Sequence, residues 1–193
     1  MIKILAISGS LRASSSNTNI LRALVELAPE HTTIEIYEGI GNLPHFNPEI
    51  DDNSVERRLC QRELISVQNW RSHLQAADAV IFCTPEYAHG IPGVLKNALD
   101  WIVSSGEFMH KPTAVISASP SPDGGEKANA SLVQTLKMVM AVIDPATILC
   151  ISAVGAKVSK NGELINPETA QELQGLLKKL IQITTSSCSV ELI

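Results

Sequence analysis

Aromatic residues make up only 4% of the 193 residues and charged residues only 18%. A core must therefore be built mainly from aliphatic side chains, and a 45% apolar share excludes an intrinsically disordered chain. No stretch approaches the roughly 18 uninterrupted apolar residues of a membrane span, so no membrane partner is expected. The opening MIKILAISGSLR has a short apolar run without a basic lead or a long apolar segment. It reads as a first strand and not as a signal peptide, which places the chain in the cytoplasm as an expectation. Fifteen basic against twenty acidic side chains leave a net charge of −5, with no broad basic surface for nucleic acid. The four cysteines, Cys60, Cys83, Cys150 and Cys188, lie far apart, with no CxxC and no Cys/His cluster. That spacing argues against disulfides and a metal site. Cys83 and Cys150 sit inside apolar runs and are expected to behave as small buried hydrophobes.

Three catalytic or phosphate-binding signatures are also missing. Without GxxxxGK[ST] a Walker-type triphosphate site is not expected, and without GxGxxG neither is a Rossmann-bound dinucleotide. Without GxSxG, and with no evident His and Asp partners for Ser10, serine-hydrolase chemistry is poorly supported. There is no repeat, low-complexity tract or Pro/Ser linker, so residues 1–193 are expected to form one domain.

What recurs is an apolar run, a polar turn and an amphipathic stretch. Ile2 to Ile7 is nearly continuous and aliphatic, as in a strand buried on both faces. A helix is predicted from near Asn17 to before Pro29, and the alternating TTIEIYE (32–38) suits a second strand. Residues 39–53, with Gly41, Pro44 and Pro48, read as an irregular loop. Residues 54–77 predict one long helix capped by Asn53 or Ser54. Strands are predicted at 79–84, 113–119 and 146–152, and helices at 94–103, 128–142 and from Pro167 to about Thr184. Five strand–helix units call for parallel strands with helices on both faces. Their number suits a flavodoxin-like, doubly wound α/β fold of order 2-1-3-4-5 better than a six-stranded dinucleotide fold.

In such a sheet ligands bind beyond the carboxyl ends of the strands where the order reverses, between the loops after strands one and three. Those loops are SGSLRASSSN (8–17) and PEYAHGIPG (85–93). The first offers hydroxyls, one guanidinium and a helix N-terminus, the parts of a phosphate cradle. It is equally a serine-rich turn with a capping Asn17 and an exposed Arg12; its place after a buried strand favours the cradle. The second loop is stiff, and Gly90 and Gly93 would let backbone approach a flat ligand. Taken alone, a rigid turn with Tyr87 as a packing residue is the stronger reading. His89 has no evident orienting carboxylate and is a weak candidate for acid–base work. Asp100 and Trp101 read as packing or capping groups. Asp123, Gly124 and Gly125 read as a flexible loop able to cover a ligand's edge.

These segments resemble one family. GSLRASSSN (9–17) is similar to the phosphate loop GSLRxxSxN of NAD(P)H-dependent FMN reductases. TPEYAHGIPGVLKNALDW (84–101) closely resembles that family's flavin loop, commonly TPEYNxSIPGxLKNAIDW, and SASPSPDGG (117–125) its third loop, often ASPGxxGG. The resemblance implies a flavodoxin-like fold, bound FMN, NADPH or NADH as co-substrate, and a quinone, free flavin, azo dye or chromate as acceptor. By position, Ser10, Arg12, Ser15, Ser16 and Asn17 would hold the phosphate. Pro85, Glu86, Tyr87 and Ala88 would line the ring, with His89 and Gly90 completing the turn and Ser119 approaching from the third loop. Two positions depart from the pattern: Ala88 stands where Asn is frequent, and Ser16 where a bulky residue is frequent. No protein acid or base is then required, and ping-pong kinetics follow. A homodimer or homotetramer is implied, with the helices carrying Trp70 or Trp101 as interface candidates. An FMN-binding electron carrier without NAD(P)H oxidation is the alternative, and an empty regulatory module a third.

Overall fold

The computed structural model describes residues 1–51, 61–159 and 161–188, and holds a five-stranded parallel sheet in the order β2-β1-β3-β4-β5. The strands are β1 (Ile2–Ser8), β2 (Thr32–Tyr37), β3 (Ala79–Thr84), β4 (Thr113–Ala118) and β5 (Ile148–Ile151). All six residues of β3 and of β4 are buried, because helices cover both faces at the sheet centre. At the edge, β2 alternates buried and exposed residues, as its sequence pattern predicts.

Helices α1 (Ser16–Glu26) and α7 (Pro167–Cys188) lie on one face, and α3 (Gln61–Ala76), α4 (Gly93–Asp100) and α5 (Glu126–Met138) on the other. Side-chain alternation along the strands explains the partition. Ile4, Ala6, Ile81, Cys83 and Ile116 meet Ile20, Leu24, Leu173 and Leu177 on the first face. Leu5, Ile7, Phe82 and Val115 meet Trp70, Leu74, Leu99 and Leu132 on the second. Short helices α2 (Pro48–Asp51) and α6 (Val154–Lys157) complete the set, with 3₁₀ turns at Gly39–Asn42 and Pro145–Thr147. The segment read as an irregular loop thus holds two short helical pieces. The expected caps Asn53 and Ser54 lie outside the described residues.

Several expectations need correction. The helix predicted over 128–142 runs from Glu126 to Met138, because Met140 turns left-handed (φ 65°) and Ala141 N–H returns to Leu136 O at 3.0 Å. This is a helix stop usually signalled by glycine. Trp70 and Trp101 are fully buried within the chain, so an interface on their helices would use other residues. The Trp70 indole N–H donates to Ala98 O (2.9 Å) and that of Trp101 to Pro44 O (2.8 Å), which gives both rings partners inside the chain. Cys83 is buried as expected, but Cys150 is exposed. It sits on an edge strand, opposite in facing to Leu149 and Ile151, which pack into the core.

Candidate active site

The order reversal falls between β1 and β3, and their following loops come together there. Gly9 makes the approach possible. Its N–H donates to Cys83 O (2.8 Å), and a Cβ on it would stand 2.5 Å from Thr84 Oγ1. Beyond it the chain is held by Ser8 Oγ, which accepts from Thr18 Oγ1 (2.8 Å) and Ser10 N–H (3.3 Å). Buried Ser15 caps α1 through its hydroxyl, a contact at 3.5 Å from Thr18 N. Helix geometry then leaves the amides of Ser16 and Asn17 without intrahelical acceptors, at the positive end of the helix. Arg12 is exposed and folds onto its own loop, its guanidinium donating to Ser14 O at 2.8 Å.

Asn17 is buried, and its side chain is already committed. Its Nδ2 donates to Ala118 O (3.3 Å), and its Oδ1 accepts from the Cys83 thiol (3.3 Å). It therefore joins the start of α1 to the ends of β3 and β4. Burial raises the Cys83 pKa, keeping the thiol protonated as that donor.

The second loop closes in a tight reverse turn. Tyr87 N–H donates to Gly90 O (2.9 Å) and Gly90 N–H to Tyr87 O (3.0 Å), with Ala88 (φ 50°) and His89 (φ 61°) between them. Two left-handed central residues mark a type I′ turn, whose preferred residues are Asn and Gly. The departure at Ala88 is thus first a backbone matter. The glycine at 90 is not needed for conformation, and a Cβ there would meet nothing closer than Tyr87 O at 3.9 Å. Tyr87 is 55% exposed, so it is not a packing residue.

His89 does have a carboxylate beside it: its Nδ1 lies 3.3 Å from Glu86 Oε1, with Lys127 Nζ at 3.1 Å. Glu86 is three residues away in sequence, a separation that a tight turn closes. Its other oxygen accepts from Ala128 N–H (3.1 Å) near the start of α5.

The third loop is tied down and not free. Ser119 and Ser121 hydroxyl oxygens are 2.8 Å apart, Ser121 donates to Asp123, and Asp123 accepts from Gly125 N–H at 3.2 Å. The Ser121 hydroxyl and then the Gly125 amide hold the Asp123 carboxyl below its usual pKa. Gly124, left-handed at φ 64°, lies so close to β5 that a Cβ would stand 2.9 Å from Ile151 C and Ser152 N.

The loops enclose a cleft of about 190 Å³. Of the twelve residues expected at the site, Ser10, Arg12, Ser15, Ser16, Asn17, Pro85, Glu86, Tyr87 and Ser119 line it, while Ala88, His89 and Gly90 form the turn alongside. Ala118, Pro120 and Val154 also line it and were not expected. The strand order offered a signal for Val154, since the segment after β5 lies next to that after β4. The left-handed Ala153 that brings it inward has none. Asp100 pairs with Lys96, as expected of a non-reacting group. One end of the cleft is rich in hydroxyls and helix amides. The other is walled by Pro85, Tyr87, Ala118, Pro120 and Val154, an arrangement that suits a ligand with an anionic end and a flat apolar end.

A family model described as NADPH-dependent FMN reductase matches residues 2–154. An NAD(P)H-dependent FMN reductase of Pseudomonas aeruginosa is 32% identical over 182 residues, covering 93% of each chain. A quinone reductase of Pseudomonas putida is 38% identical over 138 residues, covering 69% of this chain and 68% of its own. The solved structure of the Paracoccus denitrificans flavoenzyme FerB, an NAD(P)H:(acceptor) oxidoreductase, superposes with a TM-score of 0.81 at 28% identity, covering 96% of this chain and 98% of its own. The chain belongs to the NADPH-dependent FMN reductase family, oxidoreductases that work with FMN and NAD(P)H.

Proposed function

We propose that this chain passes two electrons from NADPH or NADH, through FMN held in the cleft, to a small-molecule acceptor: a quinone, a free flavin, an azo compound or a metal oxyanion. The observation that carries the reading is the meeting of all three family loops in one cleft at the β1/β3 reversal. The hydroxyls of Ser10, Ser15 and Ser16, the amides opening α1 and the Arg12 guanidinium take the phosphate. Asn17 contributes its amide and, through Ala118 and Cys83, fixes the loop. Pro85, Glu86 and Tyr87 wall the ring side, with Ser119 contributed by the loop after β4. The turn's own bonds use the amides of Tyr87 and Gly90, leaving those of Ala88 and His89 for the ring's edge, with Gly90 closing the turn.

Bound FMN supplies the two-electron redox chemistry. For a quinone acceptor the balance is NAD(P)H, a proton and quinone giving NAD(P)⁺ and hydroquinone, the proton coming from solvent. In this reading the proton needs no obligatory side-chain donor, and donor and acceptor use the same open face in turn. The same reading treats 1–193 as one cytoplasmic domain that assembles as a homodimer or homotetramer, a state that sedimentation would read.

The test is an absorbance spectrum of the FMN-loaded protein before and after anaerobic NADPH or NADH. Bleaching of the flavin bands supports the reading; persistence supports an electron carrier fed by a separate reductase. Initial rates at varied donor and acceptor are expected to give parallel reciprocal lines, and intersecting lines would refute the ping-pong order.

A further inference from the structure

We propose that Glu86 is a positioning residue whose single carboxylate locks the turn at 87–90 to the start of α5, and so fixes the amides that the turn presents to the flavin. The inference rests on the function proposed above and deepens it.

Helix α5 begins without a capping side chain of its own, because its N-cap is Gly125, left-handed at φ 83°. Glu86 supplies the missing acceptor from 42 residues away, Oε2 taking the Ala128 N–H at 3.1 Å. Its side chain is only 12% exposed, so the carboxylate sits in the protein and not in the solvent. Glu86 packs beside that cap: a Cβ on Gly125 would stand in van der Waals contact, 3.4 Å, with Glu86 Cβ.

The other oxygen faces the turn. Oε1 lies 3.3 Å from Nδ1 of His89, which is itself 3.1 Å from Lys127 Nζ. One ring nitrogen cannot donate to Glu86 and accept from Lys127 at once; the tether to the carboxylate is the arrangement in which Nδ1 bears the proton and donates to Oε1. The tip needs such a hold. Ala88 and His89 are both exposed, both left-handed and neither is glycine, so the local backbone preference works against the conformation. Strained backbone of this kind persists only where its surroundings over-determine it. Beyond the two bonds that close the turn, the described side-chain contacts of the tip run through His89 to Glu86 and Lys127.

A mere helix cap and a positioning residue differ in what they move. Glu86→Ala is expected to speed amide exchange at Ala128 and at 88–89 in the FMN-free protein, weaken FMN binding about tenfold, and alter the visible circular dichroism of bound FMN. Glu86→Gln keeps an acceptor for Ala128 and is expected to stay within about threefold of wild-type affinity, with protected Ala128. His89→Ala cuts the tip tether and spares the cap. It is expected to change the flavin dichroism and weaken FMN about threefold, with Ala128 exchange unchanged. It also keeps the test decisive if Glu86→Ala fails to fold. Faster Ala128 exchange with unaltered FMN affinity and dichroism would reduce Glu86 to a cap and overturn the inference, as would a glutamine variant behaving like alanine or a silent His89→Ala. Wild-type protein that binds no FMN would instead overturn the functional reading on which the inference stands.

Discussion

Ala88 occupies the first central position of a type I′ turn, and replacing it with asparagine should stabilise the fold. At φ 50° an L-residue meets the Cβ–carbonyl crowding of the left-handed region, which costs about 1–2 kcal/mol for an ordinary side chain. Asparagine recovers part of that through local hydrogen bonding, so a gain of about 0.5–1 kcal/mol is expected. Ala88 is exposed, so the longer side chain displaces nothing in the core. For a chain of this size the gain corresponds to a Tm rise of about 1–4 °C. Urea denaturation of the FMN-free protein reads the free energy, and a thermal scan the midpoint. Two controls isolate the cause. Ala130→Asn, on the exposed face of α5, should lose about 0.5 kcal/mol to helix propensity, showing that asparagine is not stabilising everywhere. Ala88→Val should lose about 1 kcal/mol or more, since a β-branched residue tolerates this region worst. An Ala88→Asn variant no more stable than wild type, beside a harmless Ala88→Val, would refute the left-handed turn.

Three further outcomes follow from the same geometry. Arg12→Ala should weaken FMN binding by about 1.5–3 kcal/mol, the worth of a charge-assisted bond, and unchanged affinity would remove Arg12 from the site. Asn17→Ala leaves Ala118 O and the Cys83 thiol without their partner in the buried staple and should destabilise the protein by about 1–3 kcal/mol in urea, whereas an unchanged midpoint would show that the staple carries no load. In a Cys60→Ser, Cys188→Ser background a thiol reagent should titrate Cys150 alone in the native protein and Cys83 only after denaturation; rapid native labelling of both would contradict the buried, protonated state of Cys83.

The sheet could be read from the chain because each strand carries its own burial signal. AVIFCT and TAVISA are apolar throughout, and the structure buries every residue of both, whereas TTIEIY alternates and forms an edge. Serines beside an arginine after a buried strand, and a Pro/Gly loop after the third, located the cleft for a similar reason, since topology fixes which loops meet. What escaped the sequence depended on partners distant along the chain or on backbone angles contrary to residue preference. The Glu86 carboxylate reaches an amide 42 positions on, and nothing local to PEYAHG announces it. Ala88, Met140 and Ala153 turn left-handed without the glycine that would have flagged them, so the turn type, the end of α5 and the inward course of Val154 were all missed. The burial of the two tryptophans is equally illegible locally, because an indole's partners, here the carbonyls of Ala98 and Pro44, lie in other elements.

The two ends of the sheet divide these devices between them. Before β4, the Lys111 ammonium is driven into the protein to satisfy Leu74 O and Ala77 O, each at 2.6 Å, and burial lowers its pKa against the opposing charges of Asp78 and Glu107. Nearby, Arg71 joins Trp101 O to Asp51 and approaches the buried Glu107 at 3.9 Å. These contacts close helix ends. At the carboxyl end the pattern inverts: the hydroxyls of Ser8, Ser10 and Ser15 hold the first loop, while the opening amides of α1 and the tip amides at 88–89 have no acceptor among the bonds described. Binding groups that must remain unsatisfied by their own chain cost stability, and the strained turn adds to that cost. Under the proposed function, recognition rests on backbone whose shape is set by Gly9, Asn17 and Glu86, so that losing a side chain such as the asparagine frequent at 88 changes the energy of the turn before it changes what the turn can hold.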